Sequence, residues 1–311
     1  MKLAFLYAGQ GSQTAGMGKD LYEANEVFKN TLDRCEKAAE GKMSLKDLMF
    51  SSPIEELSMT KYTQPAMGAF AAGITNVLFD AGIVPKVCAG LSLGEYSALY
   101  ASGVFGEEEL INLLIKRGEY MQEAAEGTST VMSAVLGLER AAIKEAVDEA
   151  SKMGKVEISN YNSTGQTVIA GEKEAVEKAK ELCILKGAKK CMDLNVSGPF
   201  HTSFMEPAAK KLEEEFKKIK FGPEKIPVIY NTVAREKNAD ENTAALLVKQ
   251  VKSSVYMEDT ILLLEKMGID TVIEIGPGKV LSGFIRRTAK GIKTYAIENN
   301  DSLLKVLEVF G

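Results

Sequence analysis

Lys86-Val87-Cys88-Ala89-Gly90-Leu91-Ser92-Leu93-Gly94-Glu95-Tyr96 joins a short apolar run to a helix-forming one through the pattern G-x-S-x-G. Val87 to Ala89 reads as a buried strand, and the helical run continues to Tyr100 before Gly103 closes the stretch. Strand, G-x-S-x-G and helix in that order form the nucleophile-elbow pattern. Glycines at 90 and 94 suit a turn too tight for flanking side chains. Such a turn lifts the Ser92 hydroxyl clear of the backbone, at a helix N-terminus that favours a developing anion. A serine that only caps the helix fits the five residues as well. The strand before and the helix after favour the nucleophile.

Downstream, Glu107–Ala125 has the spacing of an amphipathic helix with acidic residues in its first turn. Leu110, Leu113, Leu114 and Met121 form its apolar stripe, and Arg117 falls on the same stripe. A guanidinium facing a core needs an anionic partner. Periodicity alone slightly favours snorkelling or a structural carboxylate. The closeness of Arg117 to the elbow allows a second use, a bidentate grip on a substrate carboxylate.

Upstream, Lys2–Ala8 reads as a buried strand, and Gly9-Gln10-Gly11-Ser12-Gln13 breaks it. This loop lacks the G-K-[ST] ending of a P-loop and the spacing of a dinucleotide site. Its backbone N–H groups remain available to an oxyanion. Residues 17–40 and 44–85 read as mostly helical, the latter broken at Ser51-Ser52-Pro53 and around Thr60–Pro65. Residues 128–197 then run strand, helix, strand, strand, helix, strand, with a turn expected over Asn162–Gln166. That order is the ferredoxin-like βαββαβ unit. It is complete in itself, so it predicts an inserted small subdomain that splits a larger one into residues 1–127 and 198–311. The remainder alternates helices with strands of near-continuous apolar character, as in a parallel sheet covered on both faces.

The chain has 311 residues, a net charge of −5 and a single histidine, His201. One histidine excludes a metal site built on two or more, so no metal is expected. An acidic balance gives no nucleic-acid-binding face. No apolar stretch is long enough to span a bilayer, so no membrane partner is expected. The N-terminal run reads as a strand rather than a signal sequence. The four cysteines form no C-x-x-C pair, which fits a reducing cytoplasm. His201 follows Gly198-Pro199-Phe200 at the junction of the two expected subdomains, a usual place for a cleft. A lone histidine is commonly structural; its position here favours a base, provided it reaches Ser92.

Taken in order, these segments resemble the malonyl-CoA:acyl-carrier-protein transacylase family. The resemblance is carried by Gly9–Gln13, Thr63-Gln64-Pro65-Ala66, Gly90–Glu95, Arg117-Gly118, Met121-Gln122-Glu123, Asn162-Ser163, Gly165-Gln166, Ala170-Gly171, Gly198–His201, Gln250 and Gly276–Leu281. It implies an α/β-hydrolase-like large subdomain with a mostly parallel sheet, carrying the ferredoxin-like one. It implies Ser92 as nucleophile, His201 as base, the Gln250 backbone carbonyl as orienter of His201, and backbone N–H groups of Gln10 and Leu93 as the oxyanion hole. It implies Arg117, Gln64, Met121, Phe200 and Asn162 as substrate-binding residues, Arg117 on the malonyl carboxylate. Phe200 resembles the malonyl-selective members, where a bulky ring crowds an alpha-methyl branch. Leu91 and Ala8 depart from the histidine and proline common there. The implied substrates are malonyl-CoA and holo acyl carrier protein, without a cofactor, in a cytoplasmic monomer. Lys189, Lys190, Arg286 and Arg287 are candidates for a carrier-protein docking face. Two rivals follow from the residues: a serine thioesterase or hydrolase using Asp193 as the acid partner of His201, and a non-catalytic carrier-protein docking module.

Overall fold

The computed structural model describes all 311 residues. Ten strands form two five-stranded sheets. The first holds β1 (Leu3–Tyr7), β2 (Val87–Gly90), β7 (Val228–Ile229), β9 (Thr271–Ile275) and β10 (Lys293–Ile297) in the order β10-β9-β1-β2-β7. Every pair in it is parallel. The apolar run of β1 is buried throughout because both faces are covered. Phe5 and Tyr7 pack into the main core on one face, Ala4 and Leu6 into a second core on the other.

The second sheet holds β3 (Thr130–Leu136), β4 (Val156–Ser163), β5 (Gln166–Glu172), β6 (Lys190–Asp193) and β8 (Val255–Tyr256) in the order β6-β3-β5-β4-β8. The first four pair antiparallel, with helices Arg140–Ala150 and Lys173–Leu185 between them, which is the ferredoxin-like arrangement expected. Alternation along the strands divides the sheet's two faces. Val135 and Ile169 pack under the two helices with Ile143 and Val176. Met132, Ala134, Val168 and Ala170 face the other way, into the main core. The fold is α/β, with one parallel sheet and a second, mixed one.

Two local expectations need correction. The segment Thr60–Asp80 is one unbroken helix with Pro65 inside it. Proline forgoes one helical hydrogen bond, and burial of nearly every face of this helix outweighs that loss. The turn expected over Asn162–Gln166 is confined to Thr164-Gly165, because β4 runs on to Ser163 and Asn162 lies on it. β4 also takes β8 as a parallel neighbour, through Asn160–Val255 and Tyr161–Tyr256. Tyr161 and Tyr256 stack at 5.2 Å, and Arg140 lies over the Tyr161 ring while pairing with Glu258 and Asp259. A two-residue strand carries no periodicity, which is why the sequence does not announce it.

Candidate active site

The elbow is built by contact. A Cβ on Gly90 would lie 2.1 Å from the Gly94 carbonyl, and one on Gly94 would lie 2.3 Å from the Tyr7 carbonyl. β2 and the helix Gly94–Ala101 therefore close on each other and on β1. Ser92 between them has a φ of +56°, in the left-handed region.

His201 has a φ of +59° and is buried. Its Nε2 lies 2.7 Å from Ser92 Oγ, and its Nδ1 lies 2.7 Å from the Gln250 carbonyl oxygen. A carbonyl only accepts, so Nδ1 carries the proton and Nε2 is left free to accept from Ser92. Burial, and secondarily the Arg117 charge, push the imidazole pKa down to about 3, against the raising effect of the Gln250 carbonyl. The ring is a neutral base. Asp193, the acid required by a hydrolase triad, pairs instead with Lys180 at 2.9 Å on the surface.

Arg117 is fully buried and makes no ion pair. Its Nη1 donates to Gln64 Oε1 at 2.7 Å, and its Nη2 to Gln250 Oε1 at 2.9 Å and Ser92 Oγ at 3.1 Å. The guanidinium lies 5.3 Å from the Tyr96 ring, and its Nε has no partner. Burial lowers its pKa, opposed by Tyr96 and Glu95. A buried cation held only by neutral oxygens is a receptor for an anion. Of the two uses open to Arg117, the structural one lacks its direct partner: Glu95 acts on the charge from nearby but does not pair with it.

Gln250 links all three groups. Besides its carbonyl on His201 and its Oε1 on Arg117, its Nε2 donates to the Ser92 carbonyl at 2.7 Å. The side-chain contacts were not readable from sequence, where only the backbone carbonyl was expected. The backbone N–H groups of Gln10 and Leu93 make no hydrogen bond within the protein and remain free to donate. Gln10 is fixed by its side chain on Thr60 at 3.0 Å.

A cavity of about 130 Å³ opens over Ser92 and His201. Gln10, Gln64, Leu91, Met121 and Phe200 line it from the parts of the chain before 128 and after 197. Met132, Asn160, Asn162, Val168, Leu194 and Val196 line it from the stretch between. Of the expected substrate-binding residues, Gln64, Met121, Phe200 and Asn162 line this cavity, while Arg117 reaches it only through its Nη2 on Ser92 Oγ. Asn160, Met132 and Leu194 were not singled out in the sequence; Asn160 becomes visible only through the two-residue alternation with Asn162. A roomier cavity of about 730 Å³, between Phe216, Phe221 and Val248, contains neither serine nor histidine.

A serine hydroxyl bonded to a neutral, carbonyl-oriented histidine, with free backbone donors beside it, is the arrangement of a serine acyl-transfer site. Residues 4–300 match the acyl transferase domain family. The malonyl CoA-acyl carrier protein transacylase of Bacillus subtilis is 39% identical over 303 residues, covering 97% of this chain and 95% of its own. The solved structure of the Clostridium perfringens malonyl CoA-acyl carrier protein transacylase is 39% identical, with a TM-score of 0.95 over 99% of this chain and 97% of its own. A third relative, 37% identical with a TM-score of 0.95 over 99% of this chain and 100% of its own, is a malonyl-transacylase solved in complex with a type II polyketide acyl-carrier protein. The chain belongs to the malonyl-CoA:acyl-carrier-protein transacylases of the acyl transferase family.

Proposed function

We propose that the chain transfers malonyl from malonyl-CoA to the phosphopantetheine thiol of acyl carrier protein through a malonyl-Ser92 intermediate, supplying extender units for fatty-acid synthesis. The observation that carries this reading is the placement of Ser92 Oγ between His201 Nε2 at 2.7 Å and Arg117 Nη2 at 3.1 Å. His201 takes the Ser92 proton as Oγ attacks the thioester carbonyl. The oxyanion rests on the N–H groups of Gln10 and Leu93, each donor worth about 3 kcal/mol in the barrier. Collapse expels the coenzyme A thiolate, which leaves with the proton from His201. The carrier thiol then gives its proton to His201 and attacks the malonyl ester, and His201 returns that proton to the departing Ser92 Oγ.

Arg117 takes the malonyl carboxylate, and Gln64 and Gln250 hold the guanidinium ready for it. Phe200 and Met121 bound the acyl group; Asn162 offers a carbonyl oxygen, buried and without a partner, to an incoming amide. The chemistry needs no cofactor. Acceptor identity is supported by the carrier-protein complex of the third relative. Lys189, Lys190, Arg286 and Arg287 are exposed and are proposed as the face for an acidic carrier protein. No helix is long and apolar enough to cross a membrane; we assign the protein to the cytoplasm as a monomer. We also propose that residues 128–197 act as the small subdomain, closing over a large one made of 1–127 and 198–311.

Mass spectrometry of peptides after brief exposure to malonyl-CoA tests the reading. Malonyl on Ser92 that holo carrier protein removes is the expected result. No adduct on Ser92, or an adduct lost to water as fast as to carrier protein, overturns it.

A further inference from the structure

Ser92 holds its hydroxyl out on a left-handed backbone, which costs a non-glycine residue about 1 kcal/mol or more and persists only where the surroundings enforce it. Two side chains grip it. Gln250 donates to the Ser92 carbonyl, and Asn231 Oδ1 accepts the Ser92 N–H at 2.8 Å. Asn231 Nδ2 also donates to the Gly90 carbonyl at 2.7 Å, so one side chain spans the elbow. The Asn231 backbone is itself committed. Its N–H donates to Glu95 Oε2 at 2.6 Å, and its carbonyl accepts from the Tyr256 N–H at 2.9 Å.

Glu95 is buried, and its other oxygen has no partner. Leaving a buried carboxyl half satisfied is costly, so stability alone does not explain it. Burial pushes its pKa up to about 8. In either protonation state it keeps an oxygen that accepts the Asn231 N–H. The transfer chemistry above uses neither residue. The bond to Asn231 also occupies the Ser92 amide, which leaves the oxyanion to Gln10 and Leu93.

We propose that Asn231, set in place by Glu95, is a positioning residue that holds Ser92 in its left-handed conformation, with the hydroxyl between His201 and Arg117. The proposal rests on the transferase reading. Its test therefore includes labelling of Ser92 by a fluorophosphonate, which needs an activated serine but no malonyl substrate.

The measurements are kcat and KM for malonyl transfer, the labelling rate and the unfolding midpoint, on Asn231→Ala, Glu95→Ala and Glu95→Gln. A displaced nucleophile costs about 100-fold, so kcat and labelling of Asn231→Ala fall together by about that factor while KM for malonyl-CoA moves less than about threefold. Glu95→Ala loses about tenfold or more, and Glu95→Gln, which keeps an acceptor for the Asn231 N–H, recovers most of that loss. The double variant Asn231→Ala/Glu95→Ala is no slower than Asn231→Ala, because both act through one contact. Near-parental kcat in Asn231→Ala, or a change in KM alone, overturns the proposal. Should Asn231→Ala not fold, the Glu95 pair decides: a gap of about tenfold between Gln and Ala supports it, and equal rates overturn it. A parent protein that labels with fluorophosphonate but transfers no malonyl defeats the transferase reading and leaves the labelling comparison intact.

Discussion

The two sides of the cleft are made of different material. On the side built from 1–127 and 198–311, the polar groups are buried and tied to one another: Ser92 to His201, His201 to Gln250, Gln250 to Arg117, Arg117 to Gln64. On the side built from 128–197, Met132, Val168, Leu194 and Val196 form an apolar wall broken by Asn160 and Asn162. The first side holds every group proposed to react. The second offers shape and two amides. Chemistry and clearance are thus assigned to separate stretches of one chain.

The sharpest way to break this division is at the nucleophile. Ser92→Ala should lower malonyl transfer by about 10⁴-fold or more, as loss of a nucleophile does; residual transfer near the parental rate, followed with labelled malonyl-CoA, would place the chemistry elsewhere. Arg117→Ala comes next. Removing one partner of a buried charge pair costs about 2–5 kcal/mol, so malonyl transfer should fall about 30-fold or more while acetyl transfer falls far less. Equal losses for the two acyl groups would count against a carboxylate clamp.

A third effect concerns stability. His201 is held near pKa 3 in the folded protein and has an ordinary value of 6.5. As pH falls below that value, the unfolded chain binds a proton that the folded one refuses. The contribution of this group is complete above about pH 6.5 and is lost down to about pH 3, at no more than about 1.4 kcal/mol per pH unit. Urea unfolding of the parent and His201→Gln between pH 7 and 3, spanning that window, should show a steeper acid loss in the parent. Parallel curves would mean that the histidine is less sequestered than the cleft suggests.

The smallest effect is expected across the cleft. Asn162→Ala should raise KM for malonyl-CoA by a few-fold to about tenfold and leave fluorophosphonate labelling of Ser92 unchanged, since it removes one substrate hydrogen bond. A matching loss in labelling would erase the distinction between the two sides.

Much of this was legible in the sequence because it is local. Helix Glu107–Ala125 falls on its expected residues, since it has a clear period. The elbow was readable because its geometry demands glycine at fixed offsets. Arg117 was ambiguous because a stripe position does not reveal what lies opposite; the neutral oxygens of Gln64 and Gln250 decide it. Asn231 gave no signal at all. Its role depends on β7 lying beside β2, a pairing across roughly half the chain. The unbroken helix through Pro65 is not legible locally because burial, set by tertiary packing, overrides a local breaker.

The short strand β8 has a practical consequence for recombining homologous enzymes. Residues 128–197 are contiguous in the gene, yet the exposed edge of their sheet at β4 is completed by Val255–Tyr256, and Arg140 is anchored by Glu258 and Asp259. A chimera cut only at 127/128 and 197/198 would exchange one half of that junction and orphan the other. Crossovers that carry 254–259 along with the insert keep both halves from the same parent.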